Sequence, residues 1–175
     1  TKNVNGEKLD KIFSDLLTLL NQFLVFGGYP EVALKSSEEE KIEVIESIFD
    51  LYVKKDIVEY LKIDKILNVK KLIEYLAINN AQKIKYDEVC SVCSLDFNHV
   101  IEYIEILKET YLIFIQRPFF TNKNKELVKI PKIYFIDNGV RNYFINNFNP
   151  IQIREDKGRL FEGYIISELL KSYVD

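Results

Sequence analysis

Cys90-Ser-Val-Cys93 has the spacing of half a zinc site, two thiols placed so that both could face one ion. A structural zinc needs four ligands, and the chain holds only two cysteines and one histidine, His99, so the set cannot be completed. Buried free thiols at the turn of a helix pair are the better reading than a metal or redox pair. No metal site is expected. The other groups that could do chemistry are basic: Arg117, Lys123, Lys125, Lys129 and Lys132 cluster on and beside one short segment, where cations can meet phosphate. Lysines at a turn are also the ordinary solvated loop, so phosphate contact, protein contact and plain solvation all stay open. Catalysis is not expected. The Gly-x-x-x-x-Gly-Lys-Ser/Thr phosphate cradle is absent, as are Gly-x-Ser-x-Gly and His-Glu-x-x-His, and a single histidine leaves most hydrolase constellations without a base. The expectation is a chain with no catalytic residue and no cofactor of its own.

The elements that position these residues read mainly as helix. Leu9, Ile12, Phe13, Leu16, Leu17, Leu20 and Leu24 recur at steps of three and four and lie on one helix face, up to a stop at Gly27-Gly28. Pro30 biases Tyr29 to extended backbone, so Gly27 to Glu31 is expected as a tight turn, either a helix stop or an interdomain hinge. Ser36-Ser37-Glu38-Glu39-Glu40 starts a long helix with stripe Ile42, Ile45, Ile48, Phe49, Tyr52, Val53 and Ile57. Leu72, Ile73, Leu76 and Ala77 mark another helix, Tyr86 to Val92 a short one, and Ser94-Leu-Asp96 caps a third with Val100, Tyr103, Ile104 and Leu107 inward. Tyr111 to Gln116 and Leu127 to Ile136, around the polar turn Thr121 to Lys125, form a hairpin. Asp137-Asn138-Gly139 closes the second strand with a turn. Val140, Tyr143 and Phe144 begin a short helix, Arg154 to Arg159 is a charged loop, and a last helix starts at Leu160 with an apolar stripe that seeks a partner or packs back on the first helices.

The fold class is therefore mainly α with a small β-hairpin, a helical segment followed by a winged helix-turn-helix. The expected segments are 1–68 (helical linker), 69–137 (winged helix) and 138–175 (C-terminal helices). In such a domain the third helix reads the major groove, here with Asp96, Asn98, His99, Glu102 and Glu105 outward. Three of these five are acidic, which disfavours that helix against phosphate and leaves Asn98 and His99 as its candidate base contacts, with Arg117, Lys123, Lys125 and Lys129 on the wing.

A formal net charge of −3 gives no overall pull toward nucleic acid or an anionic membrane. No apolar run approaches a membrane span, no signal peptide opens the chain, and a cytoplasmic setting is expected. The chain lacks methionine, opens on Thr1 and stops at Asp175 within an amphipathic pattern, which reads as a piece of a larger protein.

Five motifs in order, Phe26-Gly-Gly-Tyr-Pro-Glu-Val32, Tyr52-Val-Lys-Lys-Asp-Ile57, Leu107-Lys-Glu-Thr-Tyr-Leu-Ile113, Pro131-Lys-Ile-Tyr-Phe-Ile-Asp-Asn-Gly-Val-Arg141 and Leu160-Phe-Glu162, resemble the C-terminal region of archaeal and bacterial predicted P-loop ATPases of the AAA+ superfamily. The resemblance implies an ATPase module before Gly27-Gly28, a winged helix after it, and a restriction-endonuclease-like domain closing the protein. It places Gly27, Gly28, Pro30 and Glu31 near the junction with the ATPase lid. It makes Asp56, Asp137 and Arg141 motif positions that hold the wing against the long helix, and Glu162 the acidic residue on the first helix of the nuclease-like domain. ATP and Mg would belong to the parent protein alone. The implied partners are the ATPase module of the same chain, DNA, or another copy, with no membrane. Two functions follow as expectations: a non-catalytic winged-helix fragment touching DNA through its basic wing, or a protein-interaction and oligomerisation module that binds no nucleic acid.

Overall fold

The structure, a computed structural model, describes residues 2–52, 66–118 and 130–172. In chain order its elements are α1 (Lys2–Phe26), α2 (Pro30–Ala33), α3 (Glu38–Tyr52), α4 (Ile66–Ile78), β1 (Gln82–Lys83), α5 (Tyr86–Cys93), α6 (Phe97–Glu109), β2 (Ile113–Gln116), β3 (Lys132–Phe135), α7 (Asn138–Phe144) and α8 (Lys157–Ser172), with a 3-10 turn at Ile151–Ile153. Mainly helical, it carries one small antiparallel sheet. No helix among the described residues is long and apolar enough to cross a membrane.

Short polar side chains start three of the helices. The Ser37 hydroxyl accepts the Glu40 N–H at 3.1 Å while the Glu40 carboxylate accepts the Ser37 N–H at 3.2 Å, a reciprocal cap that begins α3. Asp96 accepts the His99 N–H at 3.1 Å and begins α6; Asp137 accepts the Val140 N–H at 3.0 Å and begins α7. Asp137-Asn138-Gly139 is thus a helix start, where the sequence suggested only a turn. Pro30 likewise opens the short helix α2 in place of a bare turn, its fixed φ suiting the first helical position.

The sheet has β3 in the middle, in the order β1-β3-β2. Ile113 pairs with Phe135 and Gln116 with Lys132, while Gln82 pairs with Ile133. The strand β1 was not expected, because two residues are too few to show a period of two. Tyr111 sits at φ 57, in the left-handed region, so β2 begins two residues later than the β-branched run suggested. Among the described residues of the second expected strand, Lys132–Phe135 are paired; the expected wing turn falls outside the described residues.

One cluster of buried side chains forms the core. It joins Val25 and Phe26 of α1, Ile45 and Phe49 of α3, Leu72, Ile73, Leu76 and Ala77 of α4, Val100, Ile104 and Leu107 of α6, Ile133 and Phe135 of β3 and Val140 of α7. All three expected segments contribute to it. The helical period of α1 is as expected, yet only its last turn is covered: Leu24, Val25 and Phe26 are buried, and the stripe from Leu9 to Leu17 lies open. The last helix packs back on the first, the Phe23 ring meeting Tyr164 edge-on at 5.3 Å, while Phe161, Ile165 and Leu169 stay exposed.

Candidate functional site

Two motifs more than a hundred residues apart meet at the end of α1. The Asp137 carboxylate accepts the Gly28 N–H at 2.7 Å, besides capping α7. Gly27 stands at φ +79, and a Cβ built on it would lie 2.0 Å from Asp137 Oδ1. A Cβ on Gly139 would lie 2.0 Å from the Phe26 carbonyl oxygen, so α1 and α7 touch backbone to backbone. Burial pushes the Asp137 carboxyl above its usual range, although the N–H groups of Gly28, Val140 and Gly139 favour its charged form.

Beside this junction lies a buried polar cluster. Arg141, 2% exposed, donates Nε to the Ala77 carbonyl at 2.7 Å and Nη1 to Asn142 Oδ1 and to Asp156. Arg154, 4% exposed, grips Asp156 through Nε and Nη2, each at 2.8 Å, and reaches Asn142 Oδ1 at 2.9 Å. Asn142 in turn donates to the Val25 carbonyl at 2.8 Å, tying the cluster to α1. Burial alone would raise the Asp156 carboxyl; hydrogen bonds and charge from Arg154 and Arg141 outweigh it and hold the group well below the carboxylate range. Glu162 accepts from Tyr134 Oη at 2.7 Å and Lys132 Nζ at 2.8 Å, and these bonds lower its carboxyl too. Burial, then Glu162, pushes the Tyr134 phenol far up.

These lowered carboxyls fix a pH dependence. Their folded values lie below the unfolded ones, so the stability they contribute is fully present above the ordinary carboxylate range and drains as pH falls below about 4. Thermal melts should therefore show the midpoint falling as pH drops below about 4, a loss that Asp137 opposes, since its raised carboxyl adds stability on protonation. A midpoint flat down to pH 3 would remove this electrostatic account.

Of the residues expected at a site, the described ones gather only in part. Gly27, Gly28, Asp137 and Arg141 come together at the junction, but the bonds of Asp137 and Arg141 run to Gly28, Val140, Ala77, Asn142 and Asp156 rather than between a wing and α3. Contact with α3 is made instead by Tyr143 and Phe144, whose rings lie 5.7 and 4.7 Å from Phe49. Pro30 and Glu31 open α2. Asp56, Lys123, Lys125 and Lys129 lie outside the described residues. Arg117 is exposed just beyond β2. Cys93 is buried, its thiol pushed up mainly by that burial, and Cys90 is half-buried. Among the described residues no group of three or more His, Cys, Asp or Glu could hold a metal ion.

Sequence reasoning passed over Asn142, Arg154 and Asp156. A signal was there: Arg141 follows Val140 in an apolar helix, and a buried guanidinium demands a carboxylate, for which Arg154-Glu-Asp156 is the nearest supply. Asn80 was missed as well; its Oδ1 accepts the Phe135 N–H at 2.8 Å, and its Nδ2 is buried without a protein partner.

The outer face of α6 has a different character. Asp96 and His99 close on each other side chain to side chain, which ties up the His99 Nδ1 but leaves both side chains partly exposed. Phe97 and Ile101, one helical turn apart, are 48% and 38% exposed, and the Phe97 ring also meets Tyr86 edge-on at 6.1 Å. Asn98 and Glu102 flank them in solvent. Lys108, the one lysine of the helix, is paired with Glu105 and with Glu109. The face is apolar with an acidic edge.

Residues 17–150 match the family model described as Domain of unknown function (DUF8612). The chain belongs to this family. The DUF8612 match takes in the whole junction from Gly27 to Arg141 and also Asn142, but stops short of Arg154, Asp156 and Glu162. An uncharacterised protein of Methanocaldococcus jannaschii is 29% identical over 178 residues, covering 96% of this chain and 38% of the relative. The chain thus spans well under half the length of the curated relative it matches. No solved structure matches.

Proposed function

We propose that this DUF8612 chain is a non-catalytic winged-helix module of a larger P-loop ATPase of the AAA+ superfamily, and that its helix-turn-helix faces protein rather than DNA. The observation that carries the protein-facing role is the outer side of α6, where Phe97 and Ile101 stand exposed beside Glu102 and the helix's one lysine, Lys108, is paired with Glu105 and Glu109. Apolar surface gains by burial against protein, and a carboxylate beside a phosphate backbone costs affinity. The winged-helix assignment is supported by the order α4-β1-α5-α6-β2-β3 with β3 between the other two strands. The ATPase assignment is supported by the five ordered motifs alone, while the greater length of the archaeal relative supports only a place in a longer protein; ATP, Mg and hydrolysis would reside in the remainder of the protein, in the cytoplasm.

A second reading has its own support: Arg117 is exposed and leads into the segment bearing Lys123, Lys125 and Lys129, so a basic wing could hold DNA. A salt titration on labelled duplex and single-stranded DNA separates the two. The chain is expected to show no saturable binding at low salt. Binding that falls steeply with salt and disappears when Arg117, Lys123 and Lys125 are all alanine would overturn the protein-facing role in favour of the wing. Phosphate release from ATP by the longer protein, and none by this chain, tests the ATPase assignment separately.

A further inference from the structure

The two faces of the small sheet are covered differently. Ile113, Ile133 and Phe135 belong to the core, while Tyr134 points the other way and meets Glu162 of α8. α8 packs on β3, and beside β2 a cavity of about 410 Å³ remains, walled by Tyr111, Phe114, Ile136 and Leu170. Its size and apolar lining suit a small organic molecule. Two buried polar groups of the lining have no partner. Ser167 is 7% exposed, and its hydroxyl bonds to no described residue. The main chain of Ile113 is the second. The Ile136 N–H donates to the Leu112 carbonyl at 3.1 Å, so by the antiparallel alternation Ile113, opposite Phe135, turns its own N–H away from β3. Ile113 is 1% exposed with its side chain in the core, and no described group accepts that N–H. Buried donors are nearly always paired, so two at one cavity call for an acceptor there.

We propose that this cavity binds a small, mainly apolar molecule bearing a carbonyl acceptor, with the Ile113 N–H and the Ser167 hydroxyl as the donors that recognise it. Lys108 of α6 and Lys171 of α8 add ammonium groups to the lining, against the one carboxylate of Glu109. Both are held by glutamates, Lys108 by Glu105 and Glu109 and Lys171 by Glu168, so the donors outnumber the acceptors while the charge stays near balance. The acceptor is therefore a carboxylate or an amide. Tyr111 stands at φ 57, backbone that a non-glycine residue keeps only where its surroundings hold it, and its ring is 79% exposed. That ring has the most surface left to bury against an apolar occupant. An added peptide strand is the poorer occupant, because Ile113, whose outward main chain it would have to pair, lies too deep. The inference stands apart from the protein-facing role of α6, since Phe97 and Ile101 do not line the cavity.

Titration of the chain with phenylbutanoate and with phenylbutanamide, followed by amide NMR, tests the site. The expected result is saturable binding near roughly 1 mM, as ligands of this size allow, with the Ile113 amide proton moving downfield and the Ser167 signal shifting. Ser167→Ala should weaken binding about 3–10-fold, the worth of one net hydrogen bond. Ser167→Leu should abolish it by filling the cavity, with a dispersed amide spectrum showing the fold kept; Ser167→Ala carries the test if that variant does not fold. Tighter binding of the acid than of the amide would show that Lys108 and Lys171 contribute, and equal binding that the carbonyl oxygen alone is read; both uphold the site. No saturation by either probe, or affinity unchanged in the Ser167 variants, would overturn the proposal. So would the same shifts arising on concentrating the protein alone together with a dimeric mass by light scattering, since a second copy would then occupy the cavity.

Discussion

Asp156→Asn should lower the unfolding free energy by about 3–5 kcal/mol, a large share of the 5–15 kcal/mol that holds a domain together. The size follows from stoichiometry and burial. Two guanidinium groups, on Arg141 and Arg154, share this one carboxylate, and their side chains are 2% and 1% exposed. Water cannot replace the lost charge there, so the variant leaves two buried cations with only neutral oxygens, those of Asn142, Ala77 and Asn147 and of the new amide itself. Glu88→Gln is the contrast. It breaks the Lys85–Glu88 pair, whose side chains are 60% and 54% exposed, and should leave stability essentially unchanged. Urea denaturation at pH 7 measures both. The two effects converging would mean the cluster is wetter than its burial indicates. The same variant should also flatten the acid-side loss of stability, since the carboxyl that titrates there is gone, an outcome that mere loss of packing would not produce.

Much of the fold was legible because it rests on local chemistry. Ser37, Asp96 and the apolar steps of α4 and α6 state their helices directly, and the hairpin strands announce themselves by β-branched and aromatic runs. What stayed hidden depends on partners distant in sequence. Asp137-Asn138-Gly139 looks like any turn until Gly28 is found as its second donor, and Arg154 looks like part of a wet loop until Asp156 and Asn142 surround it. The stripe of α1 shows the reverse error: periodicity gives a face and says nothing about whether this chain covers it. On α6, the acidic count was visible in the sequence. Exposure of Phe97 and Ile101 was not, because their spacing would equally suit a buried face.

Gly139→Ala should cost about 3 kcal/mol or more, even though alanine is by itself the better helix former by about 1 kcal/mol. The obstacle is main chain. The new methyl would fall 2.0 Å from the Phe26 carbonyl oxygen and 3.0 Å from the Gly27 nitrogen, and no side-chain rotation relieves it. α7 must back away from α1, stretching the Asp137 bond to the Gly28 N–H that now measures 2.7 Å. Gly158→Ala in α8 is the matched control, since nothing lies within 4 Å of its added methyl, and it should stabilise the chain by about 0.5–1 kcal/mol. Urea midpoints at unchanged slope measure the pair. Opposite signs would show that the glycine is required by a backbone contact and not by its own flexibility. A Gly139→Ala variant as stable as the parent chain would mean that α1 and α7 do not meet this closely.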